Sequence, residues 1–287
     1  MSPTFWTNTI WYVLLGITSV VASILIIRKP DCRKFNIAFT FTTLGFVYSA
    51  ESILLGFYGG AYNYYPKISK DAFLDTVMGN HFSQLSICTT LVLLVIYKSR
   101  TIWNFISAVI YYLIEILFLK LGVYQHNWYK AWITLVGLIV LAFLFKKWYY
   151  KLLNSPKFLT YYFALYFAVV SSYGLVRSAF VYGKFRIINY NVFPNVFKDN
   201  LILVHIPLFI IINIMIYVYQ MKLSWFVKCM VFSGLFLTQF ILTKIGVITI
   251  RPGWFLTITS ADVLSCYLIV VIMDSLLKSG TKNFSNC

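Results

Sequence analysis

The residues most able to do chemistry in this sequence are carboxyl groups placed inside long apolar segments. Glu51, Glu115 and Asp262 each lie within such a segment. An ionisable side chain in a hydrocarbon environment costs free energy, so it is expected to face a partner, a cavity or a ligand. Carboxylates bind cations and accept hydrogen bonds. These three residues therefore indicate a binding site for a small polar ligand.

Basic and neutral polar residues complete this set. Arg177 provides an anion partner, and His81 and His205 are predicted to open their apolar segments and to form the rim of the site. A helical rise of about 1.5 Å per residue places the three carboxyl groups about 10 Å below one membrane surface. The candidate ligand-binding residues are Glu51, His81, Glu115, Arg177, His205, Gln239 and Asp262.

The sequence around one of these carboxyl groups occurs twice. EILFLKLGV at 115–123 corresponds to QFILTKIGV at 239–247, an offset of 124 residues. The same offset pairs His81 with His205, and it holds without a gap over 58–123. A constant offset of this kind predicts an internal duplication.

The two predicted copies differ in charge. The first copy has Glu51 and Glu115, where the second has Leu175 and Gln239 and adds Arg177. We expect an acidic half to face a basic half and to form an asymmetric, outward-facing pocket. The alternative is that these groups only bridge neighbouring helices, which is also frequent for polar side chains in membranes.

Two glycines accompany the polar residues of this motif. Gly122 and Gly246 lie seven residues after Glu115 and Gln239 and share a helix face with them. Small residues on a membrane helix let a neighbouring backbone approach closely. We therefore expect close helix contacts at both glycines.

The composition defines the class of protein. Sixty per cent of the residues are hydrophobic, 11 % are charged, and the mean hydropathy is +0.79. Apolar runs of about 20 residues recur, long enough to cross a bilayer. A soluble helical core is disfavoured because most of these runs have no polar face. The formal net charge is +16, and most of the basic residues lie between the apolar runs. No nucleic-acid-binding motif accompanies them, so we predict contact with membrane lipids and no nucleic-acid partner.

We predict an all-α integral membrane protein with about nine transmembrane helices, built from two parallel four-helix repeats plus a final helix. Residues 1–130 form the first repeat, 131–254 the second, and 255–287 the ninth helix and a cytoplasmic tail. The longer breaks at 59–79 and 183–199 are expected to be ordered caps or re-entrant segments. The predicted spans are 6–27, 36–58, 80–97, 102–123, 131–148, 158–182, 200–220, 224–247 and 255–277.

The distribution of basic residues predicts the orientation. Alternate loops place 14 of the 24 Lys and Arg residues on one side of the membrane. The positive-inside rule puts the N-terminus outside and the C-terminus in the cytoplasm. The first ten residues lack the basic region of a signal peptide, so we expect the first apolar run to remain as a helix.

Catalytic and metal-binding signatures are weak. The sequence contains no HExxH, GxSxG, P-loop or GxGxxG motif. His81 and His205 with Asp75 and Asp199 offer only a weak zinc set. The five cysteines show no CxxC spacing, so they suggest neither a disulfide framework nor a metal site. We predict no cofactor, no resident metal and no catalytic residue.

Several short segments resemble a known group of proteins. They include Asn80-His81, Ile114-Glu115, Asn127-Trp128 and Lys146-Lys147. Over about 36–150, the chain resembles an uncharacterised family of small multi-pass membrane proteins from endospore-forming Bacillota. The resemblance implies a multi-pass fold and a bacterial source, and it implies no activity.

Three functions remain open from the sequence. The first is binding or translocation of a small polar or lipid-headgroup ligand in the bacterial cytoplasmic membrane. The second is a non-transporting accessory or scaffold subunit, whose polar residues hold a membrane-protein partner. The third is an intramembrane metal-dependent enzyme.

Overall fold

The fold consists almost entirely of long helices. A computed structural model describes residues 4–154, 156–189, 193, 195–221 and 223–282. The helices are α1 Phe5–Arg28, α2 Arg33–Tyr58, α3 Ala72–Ile96, α4 Thr101–Lys120, α5 Ala131–Leu153, α6 Phe158–Tyr182, α7 Val196–Gln220, α8 Trp225–Lys244 and α9 Phe255–Lys282. The first turns of α1 and the segment Leu201–His205 of α7 have π-helical hydrogen bonding.

The predicted number and type of these elements are confirmed. Within the described residues, nine helices are long and apolar enough to cross a membrane, judged by length and composition. Most predicted spans agree with the helix bounds to within a few residues. The main difference is that α3 begins at Ala72, eight residues before the predicted start.

Side-chain capping explains the early start of α3. Asp71 accepts a hydrogen bond from Leu74 N at 2.8 Å, which stabilises the first turn. On α7, Asn195 plays the same role toward Phe197 N at 2.9 Å. His81 and His205 therefore lie inside their helices, and the prediction that they open them is wrong.

The two glycines of the repeated motif end helices. Gly122 has φ +68° and Gly246 has φ +79°, the left-handed conformation that glycine adopts at a helix C-terminus. Val123 N donates to Phe118 O at 3.1 Å, which completes the turn after α4. A Cβ at either glycine would meet nothing within 4 Å, so the predicted close helix contact is wrong.

Two short antiparallel sheets lie at one end of the helices. β1 (Tyr62–Tyr64) pairs with β2 (Tyr124–His126), and β3 (Arg186–Ile188) pairs with β4 (Ile248–Ile250). They show that the described parts of the predicted caps are ordered. Each strand of the first sheet lies 124 residues before a strand of the second.

The α2–α6 pair lies at the centre of the helix packing. Gly45 lets the two backbones approach, because a Cβ at this position would lie 1.9 Å from Phe167 O. Thr42 Oγ1 donates across the same contact to Ala164 O at 3.0 Å. α9 packs against both helices, α1 packs on α3, and α4 packs on α5. α8 is peripheral, with Gln239 as its only buried residue.

Candidate functional site

A cavity of about 300 Å³ lies between α2, α3, α4 and α5, next to the first sheet. Its wall contains Glu51 and Glu115, so we call it the glutamate cavity. The remaining polar lining consists of short amides and hydroxyls, and no lysine or arginine lines it among the described residues. The polar and aromatic lining residues are Phe46, Glu51, Tyr62, Tyr64, Asn80, Ser83, Gln84, Tyr111, Glu115, Phe118, Tyr124, Trp128, Tyr129 and Thr134.

Glu51 lies on α2 and is held from α3. Its carboxyl group accepts a hydrogen bond from the side chain of Gln84, and Asn80 is a second hydrogen-bonding neighbour. Gln84 is itself buried. Glu51 forms no ion pair within the part of the chain that the structure describes. The carboxyl group therefore has amide donors and lacks a cationic partner.

Glu115 on α4 is held by a residue outside the predicted site. His126 Nε2 lies 2.7 Å from Glu115 Oε1, because the turn at Gly122 and strand β2 fold the chain back over the helix end. Glu115 is only 8 % exposed, and its Oε2 has no hydrogen-bond partner of good geometry among the described residues. The sequence feature that could have identified His126 is Gly122. A glycine that ends a helix lets the chain turn back, whereas the spacing of Gly122 from Glu115 predicts a close helix contact.

Tyrosines surround these two carboxyl groups. The rings of Tyr64 and Tyr124 stack with their centroids 4.4 Å apart. Burial raises the pKa of Tyr129 to about 12. It also raises the pKa values of Tyr64 and Tyr124 well above the usual range of a tyrosine. All three phenols are therefore neutral at physiological pH. They present aromatic faces and hydroxyl groups to the cavity.

A second cavity of about 100 Å³ lies between α2, α3, α6 and α7. Because it separates the two predicted halves, we call it the interface cavity. Glu51, His81, Arg177 and His205 all line it. His81 Nδ1 lies 2.7 Å from Val77 O, which makes this nitrogen the donor and leaves Nε2 as an acceptor in the neutral ring.

A buried ionic network lies beside the interface cavity. Asp262 Oδ2 lies 2.9 Å from Arg186 Nη1 and accepts from Gln239 Nε2 at 3.2 Å. Asp262 Oδ1 accepts from Tyr173 OH at 2.8 Å, and Arg177 Nε lies 3.7 Å from the same oxygen. Both carboxylate oxygens are thus occupied by protein donors.

Arg186 is a charged member of this network that the predicted set does not include. It lies on β3, is 3 % exposed, and donates from Nη2 to Gln239 Oε1 at 3.1 Å. Burial and the nearby charge of Arg177 lower the pKa of Arg186 to about 10, so it is still charged at neutral pH. At the offset of 124 residues, Arg186 corresponds to Tyr62, which lines the glutamate cavity. This correspondence is the sequence feature that could have identified Arg186.

The seven predicted residues therefore form three neighbouring groups. Glu51 and Glu115 line the glutamate cavity, and Glu51 lines the interface cavity with His81, Arg177 and His205. Gln239 and Asp262 lie in the ionic network, which Arg177 also joins. An acidic and a basic residue from the two halves do share a cavity, although Glu51 and Arg177 do not pair.

The residues considered for zinc have other contacts. Asp75 accepts backbone hydrogen bonds from Lys67, Ile68 and Ser69 at 2.8–3.0 Å, and Asp199 accepts from Phe193 N at 2.9 Å. In the described part of the chain, no group of three or more His, Cys, Asp or Glu side chains is placed to hold a metal ion. The zinc set suggested by residue type is therefore not assembled.

Comparisons of the chain with protein-family models, curated proteins and solved structures find no match. What the fold and the cavities define is a helical protein with nine candidate membrane spans among its described residues and two adjoining cavities that have charged side chains in their walls.

Proposed function

We propose that this chain is an integral protein of the bacterial cytoplasmic membrane, with its N-terminus outside and its C-terminus in the cytoplasm. The exposed apolar surface of α8 supports a lipid environment: Trp225 is 77 % exposed and Phe226 73 %. In this orientation both sheets face outward. A membrane-impermeant maleimide should label Gln125→Cys in intact cells and leave Lys151→Cys unlabelled; the reverse pattern would refute the orientation.

We further propose that the chain arose by tandem duplication, with two parallel halves related by a pseudo-two-fold axis. α3 and α7 begin and end 124 residues apart, as do α4 and α8. Phe73 and its equivalent Phe197 contact each other, with ring centroids 5.5 Å apart. The resemblance of the first half to a family from endospore-forming Bacillota remains a prediction.

For the function, we infer that the glutamate cavity binds a small ligand carrying an ammonium group, for passage or for recognition. The observation that carries this inference is the pair of carboxyl groups on facing helices with no lysine or arginine in the described lining. A buried carboxylate is stable only with a partner of opposite charge or several hydrogen bonds. An ammonium ligand would supply the cation that Glu51 lacks.

The remainder of the cavity supports the same class of ligand. Tyrosine and tryptophan rings attract ammonium groups through their electron-rich faces, and quaternary ammonium ligands are recognised by such aromatic walls. The volume of about 300 Å³ lies at the lower end of the range for small-molecule sites. The predominantly apolar lining favours a small organic amine over a hydrated metal cation.

Thermal unfolding of the purified full chain in neutral detergent tests this proposal. Ethanolamine and choline should raise the unfolding temperature of the wild type, whereas uncharged ethylene glycol should not. Glu51→Gln and Glu115→Gln should lose this stabilisation. Asp274→Asn is a matched control, because Asp274 is a buried carboxyl group held by Tyr161, Tyr219 and Lys278 away from both cavities. Equal stabilisation of all four proteins by the amines would refute the proposal.

A second candidate function is that of an accessory subunit. The observation that favours it is α8, on which Gln239 alone is buried, so that the remainder of the helix is available to a partner as well as to lipid. A chain solubilised from its native membrane should then migrate as part of a larger complex. Migration as the isolated chain would count against this candidate.

A further inference from the structure

The interface cavity holds opposite charges that do not neutralise each other. Glu51 from the first half and Arg177 from the second line the same space of about 100 Å³. No salt bridge joins them within the described residues, where the ion pairs of Arg177 and Arg186 are both to Asp262. A single water needs only roughly 10–15 Å³, so the cavity has room for several heavy atoms.

The positive charge beside this cavity is incompletely satisfied. Arg177 and Arg186 share one carboxylate, and the shorter contact belongs to Arg186 at 2.9 Å against 3.7 Å for Arg177. Arg177 is 8 % exposed, and its Nη1 has no hydrogen-bond partner in the described part of the chain. A guanidinium group presents donors in a fork that matches an oxyanion. The wall of the interface cavity thus contains an anion-binding group with spare donor capacity.

Glu51 connects the two cavities. Glu51, Leu55 and Asn80 line both the glutamate cavity and the interface cavity, so the two spaces adjoin at these side chains. Around the interface cavity, the formal charges of Glu51 and Asp262 together balance those of Arg177 and Arg186. A ligand with no net charge therefore fits this cavity best, provided that it carries one positive and one negative group.

We propose that the ligand is a small zwitterion whose ammonium group binds at Glu51 and whose oxyanion binds at Arg177 in the interface cavity. This inference rests on the proposed function, which supplies the ammonium site. The chemistry matches a phosphoethanolamine diester, whose phosphate carries one negative charge beside the ammonium group. It occurs free as glycerophosphoethanolamine and as the headgroup of a membrane lipid. His81 and His205 line the same cavity on either side of Tyr48, whose ring centroid lies 6.0 and 5.1 Å from theirs, and they supply neutral hydrogen-bonding groups.

Calorimetric titration of the full chain in neutral detergent tests the oxyanion site. The wild type should bind glycerophosphoethanolamine about tenfold or more tightly than it binds ethanolamine or inorganic phosphate. Arg177→Gln should reduce the affinity for glycerophosphoethanolamine to that for ethanolamine, with ethanolamine binding unchanged. Arg251→Gln removes an exposed arginine and should leave all three affinities unchanged.

The source of the ligand is tested in nanodiscs. Phosphatidylethanolamine added to phosphatidylglycerol nanodiscs should raise the unfolding temperature of the wild type, and not that of Arg177→Gln, if the headgroup is the ligand. Binding of the free compound alone assigns the site to a soluble zwitterion. Because Arg177 is buried, Arg177→Lys serves as a second variant that keeps the charge beside Asp262 and removes the fork.

The two proposals fail in different ways. Equal wild-type affinity for ethanolamine and glycerophosphoethanolamine, with no lipid effect, overturns the zwitterion inference and leaves the ammonium site intact. Absence of ethanolamine binding overturns the proposed function itself. Loss of ethanolamine binding in a folded Arg177→Gln or Arg177→Lys variant would also contradict the inference, because it would show that Arg177 does not act on the oxyanion alone.

Discussion

At the scale of single residues, the contact between Glu115 and His126 best illustrates how the site is built. The carboxyl group lies near the end of α4, and the imidazole returns to it from β2 at 2.7 Å. Within the described part of the chain, Glu115 Oε2 has no hydrogen-bond partner of good geometry, so this nearly buried carboxyl group depends strongly on the bond at Oε1. His126 therefore holds Glu115 in place without lining the glutamate cavity.

We predict that His126→Ala lowers the free energy of unfolding by about 1–3 kcal/mol, because it leaves a buried acceptor unpaired. Denaturant unfolding in mixed micelles measures this change. Lys130→Ala, an exposed substitution in the same loop, is the control and should have little effect. A His126→Ala variant as stable as this control would contradict the structural role of the contact.

At the scale of elements, the α2–α6 pair fixes the distance between the two proposed halves. The backbones touch at Gly45, and Ser171 Oγ donates across the pair to Phe41 O at 2.7 Å. Glu51 lies further along α2 and Arg177 further along α6. The packing of these helices therefore determines the width of the interface cavity between them.

We predict that Gly45→Ala destabilises the fold by about 1–3 kcal/mol through overpacking, because its Cβ would overlap Phe167 O. Gly234→Ala on α8 is the matched control, since a Cβ there meets nothing within 4 Å. The control should be neutral or stabilising by about 0.5–1 kcal/mol. Equal effects of the two substitutions would show that α2 and α6 do not pack as described.

The first sheet and its tyrosines predict a response to alkaline pH. Below about pH 10 the phenol of Tyr129 is neutral in both the folded and the unfolded chain. Burial raises the pKa of Tyr129 in the folded chain to about 12. Between about pH 10 and pH 12 the phenol therefore ionises in the unfolded chain first, which stabilises the unfolded chain relative to the folded one. The unfolding temperature should fall as pH rises from 10 to 12. Tyr129→Phe should show a smaller fall, and an equal fall would contradict the burial of this phenol.

Much of this element structure was predictable, and the reasons are local. Apolar runs of membrane-spanning length predict the helices, and charged or Gly- and Pro-containing breaks predict most of their ends. The start of α3 was not predictable from hydropathy, because its first turns contain Asp75 and Asn80. The contact between His126 and Glu115 was not predictable for a related reason. It depends on the left-handed φ of Gly122, which the turn after α4 determines and hydropathy does not reveal.

At the scale of the whole molecule, the two proposed halves differ in what lies at equivalent positions. The glutamate cavity has Glu51 and Glu115 in its wall. Residues 124 positions later are Leu175 and Gln239, and Arg186 with Asp262 forms the buried ionic network there. The charge difference was evident from the sequence. Its consequence, an open cavity beside a closed ionic network, depends on helix packing that no spacing rule specifies.

This asymmetry also explains why the predicted residues separate into three groups. The sequence predicts that Glu51, Glu115 and Asp262 converge, because they lie at one depth. Depth along a helix is predictable from about 1.5 Å per residue, whereas the direction in which each side chain points depends on the rotation of its helix against its neighbours. Glu51 is the one residue of the predicted set that lines both cavities, and it is central to the account for that reason.

The most direct test is therefore the binding of ethanolamine to wild type and to the double variant Glu51→Gln/Glu115→Gln, measured by isothermal titration calorimetry of folded full-length protein. The account predicts saturable binding to the wild type and to Asp274→Asn, and loss of binding in the double variant. Binding of ethanolamine to the double variant with wild-type affinity, or its absence from the wild type, would contradict the claim that the glutamate cavity is an ammonium site.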